Sequence, residues 1–410
     1  MKKIIAIMLS VLMIAALVPA VFASAAGDLT LYVGNEGNDS NAGTSKDKPI
    51  KTLAKAAELA SGKSSVKILI LPDNTIDFTA ADAFPTFPCP ATIESADRQS
   101  FATVKVSANL KIGGDVTFDY INLVANSTFT FVPQADAKLV IGGNCDVSKL
   151  SGYLWIYVSD PIICDVTVAT GNWDYLYCCG KLTILGDTSC LVANPCNGGY
   201  SAPEGEEHFN VDKIELYIDT TGTIANSATA CGFGGYAVIK KAVTTIKNGN
   251  ISNFYAGGAA FTSGGVPEDH NKNSHYDEAV INICGGNITN FYSRGMAYNF
   301  ADGSPYNTTP DTVSVHVWGD AGKEAYESFG KEDETVAPVF HTESEPVEEK
   351  EDDNQQGQQG QEGQQGQEGQ QGQQGGTTNP PKTGDEVIFI AVIAMVSLAG
   401  AFVFAKKAHR

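Results

Sequence analysis

Gly249-Asn250-Ile251-Ser252-Asn253-Phe254-Tyr255 returns 37 residues later as Gly286-Asn287-Ile288-Thr289-Asn290-Phe291-Tyr292. An earlier copy reads Gly171-Asn172-Trp173-Asp174-Tyr175-Leu176-Tyr177, and weaker ones begin Gly114-Asp115-Val116, Gly143-Asn144-Cys145 and Gly222-Thr223-Ile224. The steps between these glycines are 29, 28, 51, 27 and 37 residues. A unit of about 27 residues accounts for them if 51 is two units and 37 is one unit with an inserted polar loop at 267–275. Fixed-period self-similarity is the mark of a stacked repeat, in which each unit buries its apolar face against the next.

Each unit holds short β-rich runs, at 103–106, 116–123, 129–132, 138–141, 181–185, 213–218 and 279–283, separated by Gly, Asn or Asp. Lys213-Ile214-Glu215-Leu216-Tyr217-Ile218 alternates as a half-buried strand does, and helical periodicity is nearly absent. The expected fold class is mostly β: a single right-handed parallel β-helix, or solenoid, over residues 63–330. Ile251 and Ile288 then stack in one interior ladder, Asn253 and Asn290 at one corner, and Phe254 and Phe291 inside the next face. Asparagine suits a corner because it tolerates the left-handed backbone and can bond to its neighbour in the next coil. A β-sandwich has strands of similar length but does not require a Gly-Asn recurring at one spacing.

A solenoid needs its first coil covered. Residues 26–62 supply a cap: a strand at 29–33, then a short helix over 50–60 opened by Pro49, with Ile50, Leu53, Ala54 and Ala57 on one face and Gly62 ending it. The segment 32–44, Tyr-Val-Gly-Asn-Glu-Gly-Asn-Asp-Ser-Asn-Ala-Gly-Thr, followed by Lys48-Pro49-Ile50-Lys51-Thr52-Leu53, resembles the entry segment of pectin-lyase-like β-helix proteins. The resemblance is specific over 29–60 and architectural over 63–330.

Both ends carry targeting signals. Lys2-Lys3, an apolar run at 4–18 closed by Pro19, and Ala23-Ser24-Ala25 make a secretory signal peptide over 1–25. At the other end stand Asn379, the motif Pro380-Pro381-Lys382-Thr383-Gly384, an uncharged apolar run at 387–405, and Lys406-Lys407-Ala408-His409-Arg410. As a helix that run spans roughly 28 Å, the thickness of a hydrocarbon core, with the basic tail on the cytoplasmic side. The order of parts resembles the LPXTG-type cell-wall sorting signal of Gram-positive surface proteins, here over 379–410. Pro380 stands where the family has Leu. The resemblance implies that sortase cuts between Thr383 and Gly384 and hands Thr383 to peptidoglycan, so that the protein ends on the cell wall. A plain tail anchor is the other reading of the same residues.

Residues 331–378 read as a disordered stalk: an acidic run at 343–353, then seven Gln-Gln-Gly or Gln-Glu-Gly triplets at 355–375. The triplets contain no proline, which speaks against a collagen helix. Such a stalk averages roughly 40 Å end to end and reaches about 160 Å when stretched. The net charge of −20 gives no means of neutralising phosphates, which excludes nucleic acid as a partner. Nine cysteines, without a CxxC pair, sit mostly in apolar runs as small hydrophobes; Cys190 and Cys196 span a short loop that a disulfide can close.

Enzymatic signatures are missing. Lyases of the resembled fold use Arg or Lys as the base, yet the body holds only Arg98 and Arg294 and lacks the Arg-x-x-Arg and Trp-x-Asp-His patterns. Asn-Thr-Asp and Gly-His-Gly motifs of the related hydrolases are also absent from the sequence. Two carboxylates at the right separation still suffice for a glycosidase, and Asp160, Asp165, Asp174 and Asp187 are the candidates, with structural turn roles as the alternative. No catalytic residue and no metal site is assigned. His270 and His275 lie with Glu268, Asp269 and Asp277 in a loop whose mix of side chains can ligate a metal, although it reads more simply as solvated surface. The oxygen-rich loop 35–41 can hold calcium, although tight-turn chemistry explains it without a cofactor. The aromatic residues Trp155, Tyr157, Trp173, Tyr175, Tyr177, Tyr255 and Tyr292 cluster in the repeats. If Phe254 and Phe291 point inward, Tyr255 and Tyr292 point outward, joined by Tyr177, in a row able to touch sugar rings; a partly buried ladder that only stabilises the coil is the other reading. The expected function is therefore a non-catalytic, adhesin-like or glycan-binding surface module for host or plant glycans. A polysaccharide lyase or glycosidase and a structural surface-layer element are the alternatives.

Overall fold

The computed structural model describes residues 27–78, 84–106, 109–125, 130–133, 136–150, 153–156, 164–196, 209–232, 237–260, 275–297, 308–333 and 336–346. Apart from Pro346, all belong to one compact unit. The expected signal peptide, the triplets, the expected sorting motif and the 387–405 run lie outside the described residues.

The chain is mostly β, and a parallel sheet of 19 strands dominates the described residues. Its register fixes one continuous ladder: Leu31, Ile68, Ile93, Phe118, Ile141, Val168, Ile184, Ile218, Ile246, Ile283 and Val317, each paired with the next. All of these are fully buried. The next rung, Phe340, is 53% exposed and marks where the apolar stack opens to solvent. A column of β-branched and aromatic residues running through consecutive crossings is consistent with a stacked coil. Each rung removes its neighbours from water, so no layer is stable alone.

A second ladder runs Trp173, Cys190, Ile224, Ile251, Ile288, and beside it Leu176, Ala193, Ala228, Phe254, Phe291. The expected interior pairs are therefore in place. Phe254 and Phe291 are buried and stacked at 5.6 Å. The 51-residue gap between Gly171 and Gly222 does contain two coils, but unequal ones: Trp173 to Cys190 is 17 residues, and Cys190 to Ile224 is 34. A third sheet of strands, Thr75–Phe78, Thr103–Val106, Asn122–Ala125 and Asp146–Lys149, accompanies only the first coils. The step of 16 residues from Val168 to Ile184 leaves little chain for a third side. The glycine of the repeat is required by its backbone, since Gly171, Gly249 and Gly286 have φ of +100°, +131° and +84°.

Three expectations need correction. Asn253 and Asn290 sit within strands, Ala237–Tyr255 and Asn287–Tyr292, and not at a left-handed corner. Their amides do bond from coil to coil as expected: Asn290 Nδ2 donates to Asn253 Oδ1 at 2.9 Å, and Asn253 Nδ2 donates to the Asn226 carbonyl at 2.7 Å. The cap helix runs Leu53–Leu59, with Thr52 and not Pro49 at its start. Ile50 bridges to Val33 as extended chain, Ala54 is exposed and Ala56 is buried. Finally, pairing continues beyond residue 330. A helix, Gly319–Ser328, packs across the last coils with Ala325 and Tyr326 buried, and strands Gly330–Asp333 and Val339–His341 follow. Trp318 ties this end together, stacking on His341 at 3.8 Å and donating from Nε1 to Asn282 Oδ1 at 3.0 Å.

Candidate functional site

Strands Ala237–Tyr255 and Asn287–Tyr292 pair residue for residue, so Tyr255 faces Tyr292 across one coil spacing. Their rings stack at 4.5 Å with an interplanar angle of 6°, and both are half-buried. Each ring thus gives one face to the other. Arg294 is exposed, with its guanidinium 5.7 Å from the Tyr292 ring centre, inside cation–π range. Two residues back on each strand, and therefore on the same side of the sheet, lies the Asn253–Asn290 amide ladder. The outer surface of these two coils carries a strip of phenols, amides and one guanidinium. Aromatic edges and planar hydrogen-bonding groups side by side match the mixed apolar and hydroxyl character of a sugar.

Tyr177 occupies the same row of the ladder but not the same surface. Asn194 and Thr229 stand between it and Tyr255, and Tyr177 is only 6% exposed beside an equally buried Tyr175 at 5.5 Å. The structure therefore brings Tyr255 and Tyr292 together and leaves Tyr177 in the packing. Trp173 is buried as well, donating from Nε1 to the Thr170 carbonyl at 3.0 Å.

Of the carboxylates singled out in the sequence, Asp165 serves the backbone, accepting from the Lys181 N–H at 2.8 Å in the next coil; Asp115, in the first of the weaker repeat copies, accepts from the Lys138 N–H in the same manner. Burial pushes the Asp174 carboxyl above its ordinary value. Asp160 lies outside the described residues. In the 35–41 loop the oxygens are engaged: Asp39 accepts from Lys51 N, Thr52 N and the Thr52 hydroxyl, and Asn38 accepts from Ser40 N. Burial acts to raise the Asp39 pKa, but these hydrogen bonds outweigh it and hold the carboxyl below its ordinary value. Arg98 lies 4.1 Å over the Tyr120 ring and contacts Glu94, which also receives Lys67 at 2.7 Å.

All nine cysteines are free thiols and buried. Cys190 and Cys196 do not approach as a pair; Cys196 meets Cys179 instead, with their sulfurs 3.7 Å apart. One mixed cluster faces solvent. His275 Nε2 lies 3.1 Å from Asp277 Oδ1 and 3.3 Å from Asp311 Oδ2. The sequence reading grouped His275 and Asp277 with Glu268, Asp269 and His270, which lie outside the described residues, and missed Asp311. Only the coil register brings Asp311 across a 34-residue separation from Asp277, so no local spacing reveals it.

No protein-family model, curated protein or solved structure matches this chain. Among the described residues no helix is long and apolar enough to cross a membrane.

Proposed function

We propose that the protein is a cell-wall-displayed, non-catalytic glycan-binding module. Its body is a right-handed parallel β-helix, the hand that parallel crossovers adopt in nearly all cases. The observation that carries the binding reading is the outward strip of Tyr255, Tyr292, Asn253, Asn290 and Arg294. Such groups recognise sugars through ring-edge contacts and planar hydrogen bonds, and a stacked pair is already ordered before a ligand arrives. Arg294 favours acidic sugars. Sortase takes Thr383 from the Pro380-Pro381-Lys382-Thr383-Gly384 motif and joins it to peptidoglycan, and the part of the 331–378 segment that follows strand Val339–His341 carries the body outward. The membrane serves only as a transient hold through 387–405.

A glycan array tests the binding. Wild-type protein should give signals that fall at least tenfold in the Tyr255→Ala/Tyr292→Ala double variant and in Arg294→Ala, with unchanged circular dichroism. Silence on all glycans, or signals indifferent to both variants, sinks the reading. Anchoring has its own test: Thr383→Ala should keep the protein in the membrane fraction, and continued attachment to peptidoglycan would end the sorting assignment.

A further inference from the structure

We propose that His275, Asp277 and Asp311 form a binding site for a divalent cation of zinc-like coordination. The proposal is independent of the glycan reading. His275 and Asp277 are two apart on strand His275–Ile283, so their side chains leave the same side of the sheet. Glu278 pairs with Thr312, which places Asp277 opposite Asp311 on the next coil. One imidazole and two carboxylates thus converge from consecutive coils, with their donor atoms all within 4.8 Å of one another.

Two independent features point to a cation. The first is the charge of the row. Register places Asp212, Lys240, Asp277 and Asp311 in line on four successive coils. The Lys240 ammonium is drawn to Asp212. Asp277 and Asp311 are left facing each other with His275 between them, and like charges directly opposite destabilise a sheet. Glu278, the next acid along, is paired with Lys241 at 3.3 Å. A divalent ion offsets both carboxylates at once.

The second is the spacing. Zinc binds imidazole nitrogen at about 2.0–2.1 Å and carboxylate oxygen at about 2.0–2.2 Å, so the edge of its tetrahedron is about 3.3 Å. The two distances from His275 Nε2, 3.1 and 3.3 Å, are close to that edge, and the two carboxylates lie within 4.8 Å of each other. Calcium wants six to eight oxygens and fits three mixed donors poorly. All three side chains are exposed, which leaves the fourth position to water. A metal here ties the coil of residues 275–283 to that of 312–318 on the outside, where the interior ladder cannot reach.

The test uses the purified full-length chain and zinc alone. Calorimetric titration should show one zinc per chain, and His275→Gln and Asp311→Asn should each weaken it at least tenfold. Because buried thiols also bind zinc, cobalt substitution supplies a second readout: this site gives d–d bands without a thiolate-to-cobalt charge-transfer band. Saturating zinc should raise the melting temperature of the wild type and leave that of Asp311→Asn unmoved. No stoichiometric zinc, binding that survives both substitutions, or a thiolate charge-transfer band would each overturn the proposal.

Discussion

Replacing Phe254 by alanine tests whether the repeat is a stacked interior. The ring is fully buried, with Ala228 on the preceding coil and Phe291 stacked on the following one at 5.6 Å and 21°. A buried Phe→Ala change costs about 3–5 kcal/mol through lost transfer energy and the cavity left behind. Neighbouring Ala228 is too small to fill that cavity, and strands held in register on both sides cannot close over it, so the upper half of the range is expected. In a domain this large each kcal/mol moves the melting temperature by roughly 2–3 °C, giving a fall of roughly 8–15 °C. Thermal and urea unfolding followed by circular dichroism measure it. The double variant with Phe291→Ala should lose less than the sum of the single losses, because the ring pair contributes about 0.5–1.5 kcal/mol that can be lost only once. A shift under about 2 °C, or strict additivity, would refute the interior stack.

Thr244 is a polar rung between Leu216 and Ile281, fully buried, with a hydroxyl that finds no partner among the described residues. Thr244→Val should stabilise the protein by about 1 kcal/mol in urea unfolding, and a loss of stability would show that the hydroxyl is satisfied. Asp39 has its pKa below the ordinary 3.8 in the folded state, so its contribution is full above that value and disappears as pH falls through the lowered one. Asp39→Asn should therefore cost about 1–2 kcal/mol near neutrality and nothing at strongly acid pH; a deficit that persists in acid contradicts the hydrogen-bond account. Burial pushes the Cys145 and Cys164 thiols up to about 12 and Cys284 to about 11, and raises those of Cys178 and Cys190 as well. Alkylation followed by mass spectrometry should label Cys284 before the others just named, and early labelling of Cys178 would show that the coil opens there.

Much of the fold was legible because a solenoid repeats its solution. Gly249 and Gly286 announced the coil spacing, and Ile251/Ile288 and Phe254/Phe291 fell into the rungs expected of them. The unequal coils between Gly171 and Gly222 were not legible, since a 51-residue gap does not say how it is divided. The helix Gly319–Ser328 also escaped. Its two glycines lower its propensity, and it is held by packing of Ala325 and Tyr326 against the last coils. The cap began late because the Thr52 hydroxyl, accepting from Lys55 N, defines the first turn more strongly than Pro49 does.

The sequence by itself determined the strand-rich repeat and the rungs of its interior, since these depend on local pattern and period. Tertiary structure alone decided which outward groups meet. Tyr255 and Tyr292 spend a ring face on each other, Tyr177 is buried three coils before Tyr255, and Asp311 reaches His275 and Asp277. Stacking coils convert long separations along the chain into a single inter-strand spacing, and the register that sets those meetings is fixed by burial of the inner face as a whole.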